Sequence, residues 1–456
     1  MKERLVLLVR RMIYNLRGGF LVRPLAIALV LGCAGALLSA AEEEIPAMSS
    51  WVPTILFPSR ADPQVAQVIL AGIAASIMTV VSIVFAIMLM TLTLASMQFS
   101  PRIILSFTRD RVTQWTLGIF LGTFLYCVAA LPAARSLPRP FSPVATVLGA
   151  IVLALACVCW LLYFIHHISR AINVNQIVDK IASETESIID GMMPSERRER
   201  SLRRQKVPPE LVFETAIPSP QSGYIRFVDL ARLLDIASSY RISVHVLRRV
   251  GQFVPQGVPL IAVSRAERLP PGGSAALLGA FDLGPSRTLQ QDVEFGVLQI
   301  VDIALRAISP AVNDPSTAIS CIDQLSRILI RFASREAPES VLFDLPGAPR
   351  VVVQWMEFDR LTDGAFEQVR LYSQGDFAVS LRLLRAFADI AATLGDTGQR
   401  SGLLERGRRV VSGCGTRLGE PELAHLKSRL GALEQAAAAP SARVIRPRNA
   451  AGREPQ

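Results

Sequence analysis

Four stretches of this 456-residue chain, 25–41, 68–98, 113–131 and 144–168, contain no Asp, Glu, Lys or Arg. A bilayer core of about 30 Å needs about 20 apolar residues in a helix that satisfies its own backbone hydrogen bonds, and each stretch is close to or beyond that length. The second, about 31 residues long, would extend about 46 Å at 1.5 Å per residue. It must tilt or protrude. Acidic and basic residues concentrate after His166, so the expected architecture is a membrane α-helical bundle of four transmembrane helices followed by a cytoplasmic α+β domain. The Ala-rich end of the first stretch, before Glu42, Glu43 and Glu44, imitates a signal-peptide cleavage site. The long basic region ahead of it favours an uncleaved helix.

Charge between the stretches sets the orientation. Arg10, Arg11, Arg17 and Arg23 precede the first, Arg102, Arg109 and Arg111 follow the second, and a basic segment from Arg170 to Arg204 follows the fourth. The positive-inside rule puts all three on the cytoplasmic side, with the N-terminal segment 1–24 and the C-terminal part both inside. The net charge of +10 is therefore distributed along topogenic loops, and nucleic acid is not an expected partner. Arg102, Arg109 and Arg111 are candidate headgroup contacts. Ser100 and Pro101 would open a short interfacial helix between the second and third spans, with Trp115 as an anchor.

Small residues mark where spans approach, because lipid supplies no hydrophobic drive between helices. Ala28, Gly32 and Ala36, then Gly72 and Ser76, Gly118 and Gly122, and Ala145 and Gly149 recur at four-residue spacing. Gly118 and Gly122 form a GxxxG, read either as packing within one subunit or as a subunit contact. The second span adds a stripe of hydroxyls at Ser76, Thr79, Ser82, Thr93 and Ser96, continuing to Ser100. Such a stripe lines a water-filled path, or it bonds its own i−4 carbonyls and glues neighbouring helices. The spans lack the ionisable residues of a proton relay. His166 and His167 end the fourth span; adjacent helical positions diverge by about 100°, which favours interfacial anchoring over a shared metal. The six cysteines, Cys33, Cys127, Cys157, Cys159, Cys321 and Cys414, fall mostly in apolar runs and imply no disulfide framework.

The strings SIMTVVSIVFAIMLMTLTLASMQFSPRIILSFTRDRVTQWTLGIFLGTFLYC, LLYFIHHISRAI and DVEFGVLQIVDIALRAISPAVNDPSTAISCIDQL resemble the bacterial predicted membrane protein family called domain of unknown function 2254. The resemblance reaches to about residue 395. It implies an architecture and carries no catalytic residues.

After the last span, Val174, Val178, Ile181, Thr185, Ile188 and Met192 form an a/d seam in a helical stalk, free to pack on its own domain or on a second copy; with the linker it occupies 171–210. Residues 211–284 read as a small β module. Its VGQFVPQGVPL run resembles the turns of biotinyl-type sandwiches, yet the absence of lysine leaves no attachment point for a swinging cofactor. Residues 285–435 read as mainly helical: a hairpin breaks at Pro310 and restarts at Asp314 as cap and Pro315 as first residue, and further helices cover 366–394, 403–411 and 423–433. Glu294, Asp302, Asn313 and Asp314, with Asp323, are a candidate ligand cluster around that turn. The tail 436–456 has no core to join and reads as disordered.

Phosphate loops, dinucleotide fingerprints, HExxH and paired-Cys motifs are missing, so an enzyme is the least favoured class and no cofactor or metal is expected. Two functional readings remain. One is a channel- or transporter-like homo-oligomer in the bacterial inner membrane, gated by its cytoplasmic domain. The other is a membrane-anchored sensor or scaffold that binds a small ligand, an ion or a partner protein. Four packed spans with a polar stripe exceed what an anchor needs, which favours the first.

Overall fold

The computed structural model describes residues 22–45, 62–98, 111–135, 141–171, 173–193, 211–345, 347–415 and 417–439. The N-terminal segment, the interfacial helix expected from Ser100, the basic linker and the tail beyond residue 439 lie outside them. The chain divides after Asn173 into two compact units.

The first unit holds α1 (Val22–Glu44), α2 (Pro63–Gln98), α3 (Arg111–Ala130) and α4 (Val144–Ala171), four helices long and apolar enough to cross a membrane. At 36 residues, α2 extends about 54 Å. The bundle is centred on α3, which packs on each of the other three. Its glycines explain why. A Cβ on Gly118 would lie 2.8 Å from Ile27 Cδ1, and one on Gly122 2.5 Å from Leu31 Cδ1. The GxxxG therefore seats α1 inside one chain. On α1, Gly35 makes the tightest approach, 2.6 Å from Tyr126 O for an added Cβ, whereas Ala36, the expected contact, is exposed. Apolar layers of Leu70, Ala74, Tyr126 and Val147, then Ile77, Phe120 and Cys157, then Val84, Leu117 and Phe164 fill the bundle.

Several polar groups inside the bundle are answered by neighbours. Trp160 Nε1 donates to Thr116 Oγ1 at 2.9 Å and Tyr126 Oη to Thr146 O at 3.1 Å. Buried Glu42, at the end of α1, accepts the amides of Ala145 and Thr146 at 2.8 and 3.0 Å and the Thr146 hydroxyl at 2.9 Å. It thereby caps the start of α4, where free N–H groups and the helix dipole favour a carboxylate.

The second unit begins with α5 (Val174–Met192). Asn173 is not helical, so α4 and α5 are separate helices. The seam of α5 closes on its own unit: Val178, Ile181 and Thr185 are buried against the hairpin that follows the β module, with Ile189 buried in place of the expected Ile188 and with Val174 and Met192 only partly covered. That hairpin consists of α8 (Val293–Ala307) and α9 (Pro315–Ala333). Asp314 caps α9 as expected, accepting Thr317 N at 3.1 Å and Thr317 Oγ1 at 2.6 Å. Asn313 adopts a left-handed φ of 49° to make the turn.

The β module comprises β1 (Thr215–Pro218), β2 (Gly223–Val228), α6 (Leu230–Ser239), β3 (Val244–Val246), β4 (Phe253–Val254), β5 (Pro259–Val263), the short α7 (Gly273–Leu278) and β6 (Phe281–Gly284). Two sheets, ordered β1-β5-β3-β8-β7 and β4-β2-β6, close over Ile225, Leu233, Val244, Leu260 and Val351. The last two strands of the larger sheet, β7 (Val341–Phe343) and β8 (Pro349–Val352), come from beyond the hairpin. There β8 pairs in parallel with β3, so the module extends past the boundary expected at 284. Four helices complete the unit: α10 (Phe358–Tyr372), α11 (Phe377–Thr393), α12 (Thr397–Cys414) and α13 (Glu420–Ala438). The single helix expected over 366–394 is two, because the carboxylate of Asp376 accepts Val379 N at 2.9 Å and starts α11 afresh.

A ladder of ion pairs fastens α5 to α9. Arg327 holds Asp179 at 2.8 Å and Glu186 at 2.5 Å, while Arg331 and Arg335 converge on Asp190 at 2.5 and 2.6 Å. The hydrogen bond from Arg331 in particular keeps the Asp190 carboxyl below the usual carboxylate range. A depressed folded-state pKa stabilises above the unfolded value near 3.8 and loses that contribution as pH falls through the folded value. These half-exposed pairs are worth about 0.2–1 kcal/mol each. Asp190→Asn is expected to lower the thermal midpoint at neutral pH by a few degrees, with the difference shrinking as the pH falls below the unfolded value and the carboxyl becomes protonated in the folded chain, and shrinking also in molar salt.

Candidate functional site

The hydroxyl stripe lies on the outward side of α2. Ser76, Thr79, Ser82 and Thr93 are all exposed in the single chain, alongside Ala71, Gly72, Ala75 and Ala86. Three of the hydroxyls bond their own helix: Thr79 to Ala75 O at 3.1 Å, Ser82 to Met78 O at 3.1 Å and Thr93 to Leu89 O at 2.9 Å. Ser96 belongs to α2, but its side chain is outside the described residues, as is Ser100. Each bonded hydroxyl keeps lone pairs for a further donor. The face is thus mildly polar, with the bulky side chains of Val68, Ile83 and Met90 exposed among the hydroxyls, while the opposite side of α2 packs on α3 and α4.

Of the candidate headgroup arginines, Arg111 opens α3 and is exposed; Arg102 and Arg109 lie outside the described residues. His167 stacks on Tyr163 with ring centroids 6.3 Å apart. The cysteines are free thiols.

The four residues of the acidic cluster are spread along the hairpin. Glu294 stands at the head of α8, Asn313 and Asp314 lie beyond its far end, and the 15 residues of α8 separate them by about 22 Å. Among the described residues, no three His, Cys, Asp or Glu side chains stand close enough to hold a metal ion.

Glu294 instead belongs to an ion-pair network that sequence reading missed. Arg287 grips Asp292 with two bonds of 2.7 Å and reaches Glu294 at 3.0 Å. Asp292, 3% exposed at its side chain, also caps α8 through Phe295 N at 3.0 Å. Above this pair the β module turns at Gly251, with φ 87°. A Cβ there would fall 2.3 Å from Asp292 Oδ2. The first glycine of VGQFVPQGVPL is therefore needed twice, for a left-handed turn and for close approach to buried charge.

Beside this network a cleft of about 60 Å³ is lined by Met192, Val246, Arg249, Glu294, Trp355 and Met356, among others. Arg249 donates to Met356 Sδ at 3.3 Å. Burial first, then the nearby charge of Arg360, pulls its guanidinium below the usual arginine value. The acidic groups of Glu294, Glu357 and Asp292 push the other way, and an anionic ligand would add to them in favouring this half-buried cation.

Comparison with known proteins leads to the same architecture. Residues 17–389 match the family model described as predicted membrane protein (DUF2254). Uncharacterized protein Mb1321c of Mycobacterium bovis and uncharacterized protein Rv1290c of Mycobacterium tuberculosis are each 32% identical over 396 residues, covering 84% of this chain and 74% of the relative. No solved structure matches. With most of its length inside the family model, and with four apolar helices followed by an α+β unit, the chain belongs to the predicted membrane protein family DUF2254.

Proposed function

We propose that this chain is a multi-pass protein of the bacterial cytoplasmic membrane, with both ends in the cytoplasm, that assembles as a homo-oligomer around a channel-like path. The observation that carries the reading is the outward position of Ser76, Thr79, Ser82 and Thr93 on α2, while packed apolar layers fill the inward faces of the bundle. A path of this kind runs between copies. Gly72, Ala75 and Ala86 leave gaps between the bulkier Val68, Ile83 and Met90 of that face, and bonded hydroxyls offer oxygen lone pairs to water or an ion without an unmet backbone cost. Orientation follows the basic segments flanking the spans. The C-terminal unit gates the path, and no catalytic step is assigned to it.

The test uses full-length protein in liposomes. Thr79→Asp and Ser82→Asp are expected to change cation flux several-fold relative to the unmodified chain, and Thr79→Cys to cross-link between copies. Unaltered flux from an intact oligomer would remove the path from this face.

The cleft at Arg249 favours a second reading, a membrane-anchored sensor. An anionic small molecule that raises the melting temperature of the detergent-solubilised chain, but not of Arg249→Gln, would support it. A screen of nucleotides and carboxylates without any shift would count against it.

A further inference from the structure

We infer that the bundle carries a built site for the headgroup of an anionic phospholipid, where the first turns of α1 and α3 lie side by side. The inference rests on the reading above that the four helices span a bilayer. A cavity of about 410 Å³ opens at this place, lined by Arg23, Ala26 and Ile27 of α1 and by Arg111 and Trp115 of α3.

Its geometry follows from the glycine contacts of α3. Gly118 meets Pro24 and Ile27, Gly122 meets Leu31, and Tyr126 meets Gly35, so the two helices run in the same direction, with Arg23 near the level of Gln114. Each contributes one guanidinium at that level. Arg23 Nη1 reaches Gln114 Oε1 only at 3.5 Å, and among the described residues no carboxylate pairs with Arg23 or Arg111. Two exposed cations therefore face one cavity.

The walls below these charges differ in character. Ala26 and Ile27 give the cavity an apolar side, Leu25 and Leu29 continue an exposed apolar surface along α1, and the Trp115 indole is 48% exposed. An indole half in and half out of an apolar surface marks the headgroup level. The order of cation, aromatic ring and aliphatic wall matches that of a phospholipid: phosphate, glycerol, acyl chain. A zwitterionic choline headgroup would bring a quaternary ammonium toward both guanidinium groups, whereas an anionic glycerol headgroup brings none. The site selects for net negative charge.

The experiment uses full-length chain purified in detergent and exposed to equimolar phosphatidylglycerol and phosphatidylcholine, with retained lipid counted by native mass spectrometry. The unmodified chain is expected to retain phosphatidylglycerol about tenfold over phosphatidylcholine, as expected for two basic side chains at an anionic surface. The paired change Arg23→Gln with Arg111→Gln should bring the ratio close to one. Ala26→Trp, which fills the cavity and leaves both charges, should also abolish the preference.

Equal retention by the unmodified chain overturns the inference, as does a preference that survives both variants. Loss in the arginine pair with full retention in Ala26→Trp would replace a built site with diffuse surface charge, and so also overturns it. Displacement of phosphatidylglycerol by millimolar inorganic phosphate would assign the cavity to a free anion instead of a lipid. Should the arginine pair fail to fold, Ala26→Trp decides alone. A chain that stays in solution without detergent would instead defeat the bilayer reading itself, an outcome distinct from those above.

Discussion

Gly296→Ala is expected to destabilise the C-terminal unit by about 1–3 kcal/mol, despite the gain in helix propensity of about 1 kcal/mol that the same change gives in an open helix. The reason lies where α8 crosses α5. A Cβ on Gly296 would stand 2.0 Å from Thr185 Oγ1 and 3.0 Å from Thr185 Cβ and Cγ2. Thr185 is fully buried, and its hydroxyl donates to Ile181 O at 2.7 Å. It has nowhere to move, so the two helices must part. The check is a double-mutant cycle: Thr185→Ala alone should cost little, and combined with Gly296→Ala it should restore most of the loss. A coupling of about 1–3 kcal/mol is anticipated. Additive losses would show that the helices do not meet at this point.

The second large effect belongs to Arg287. Arg287→Met leaves the Asp292 carboxylate buried with its charge uncompensated, and loss of one partner from a buried pair costs about 3–5 kcal/mol. Asp292→Asn removes the charge while keeping an oxygen for the Phe295 amide, so the double variant should recover much of the stability of the C-terminal unit. Thermal or denaturant unfolding of the solubilised chain reads both steps. A single variant as stable as the unmodified chain would mean that the pair is water-filled in solution.

These two positions also show what a sequence can and cannot convey. The four long apolar helices were legible because absence of charge over 17 or more residues is a property of each stretch alone. Asp314-Pro315 was legible for the same reason: cap and first residue are adjacent. Gly296 was visible as a glycine inside a strongly patterned helix, but nothing local names Thr185 as the side chain that needs the space. Arg287 and Asp292 are only five residues apart, yet their pairing depends on burial beneath the turn at Gly251. The parallel pairing of β8 with β3 joins Val351 to Val244, and long-range strand pairing leaves no mark in either segment. On α1 almost every turn offers a small residue, so the contact at Gly35 could not be separated from its neighbour Ala36 by composition. The hydroxyl stripe was legible as a stripe; which side of the bundle it occupies depends on where α3 sits.

The carboxylate of Glu42 bears on how the molecule is made. It emerges from the ribosome 103 residues ahead of the Ala145 amide that it accepts, so its partners do not exist until two further apolar helices have been synthesised. During that interval the carboxylate at the far end of the earliest helix lacks these three donors, and only arrival of the last helix supplies them. The bundle thus closes by joining its first and final segments. Loss of the first helix, by processing or truncation, would leave two amides and a hydroxyl at the head of the last without their acceptor.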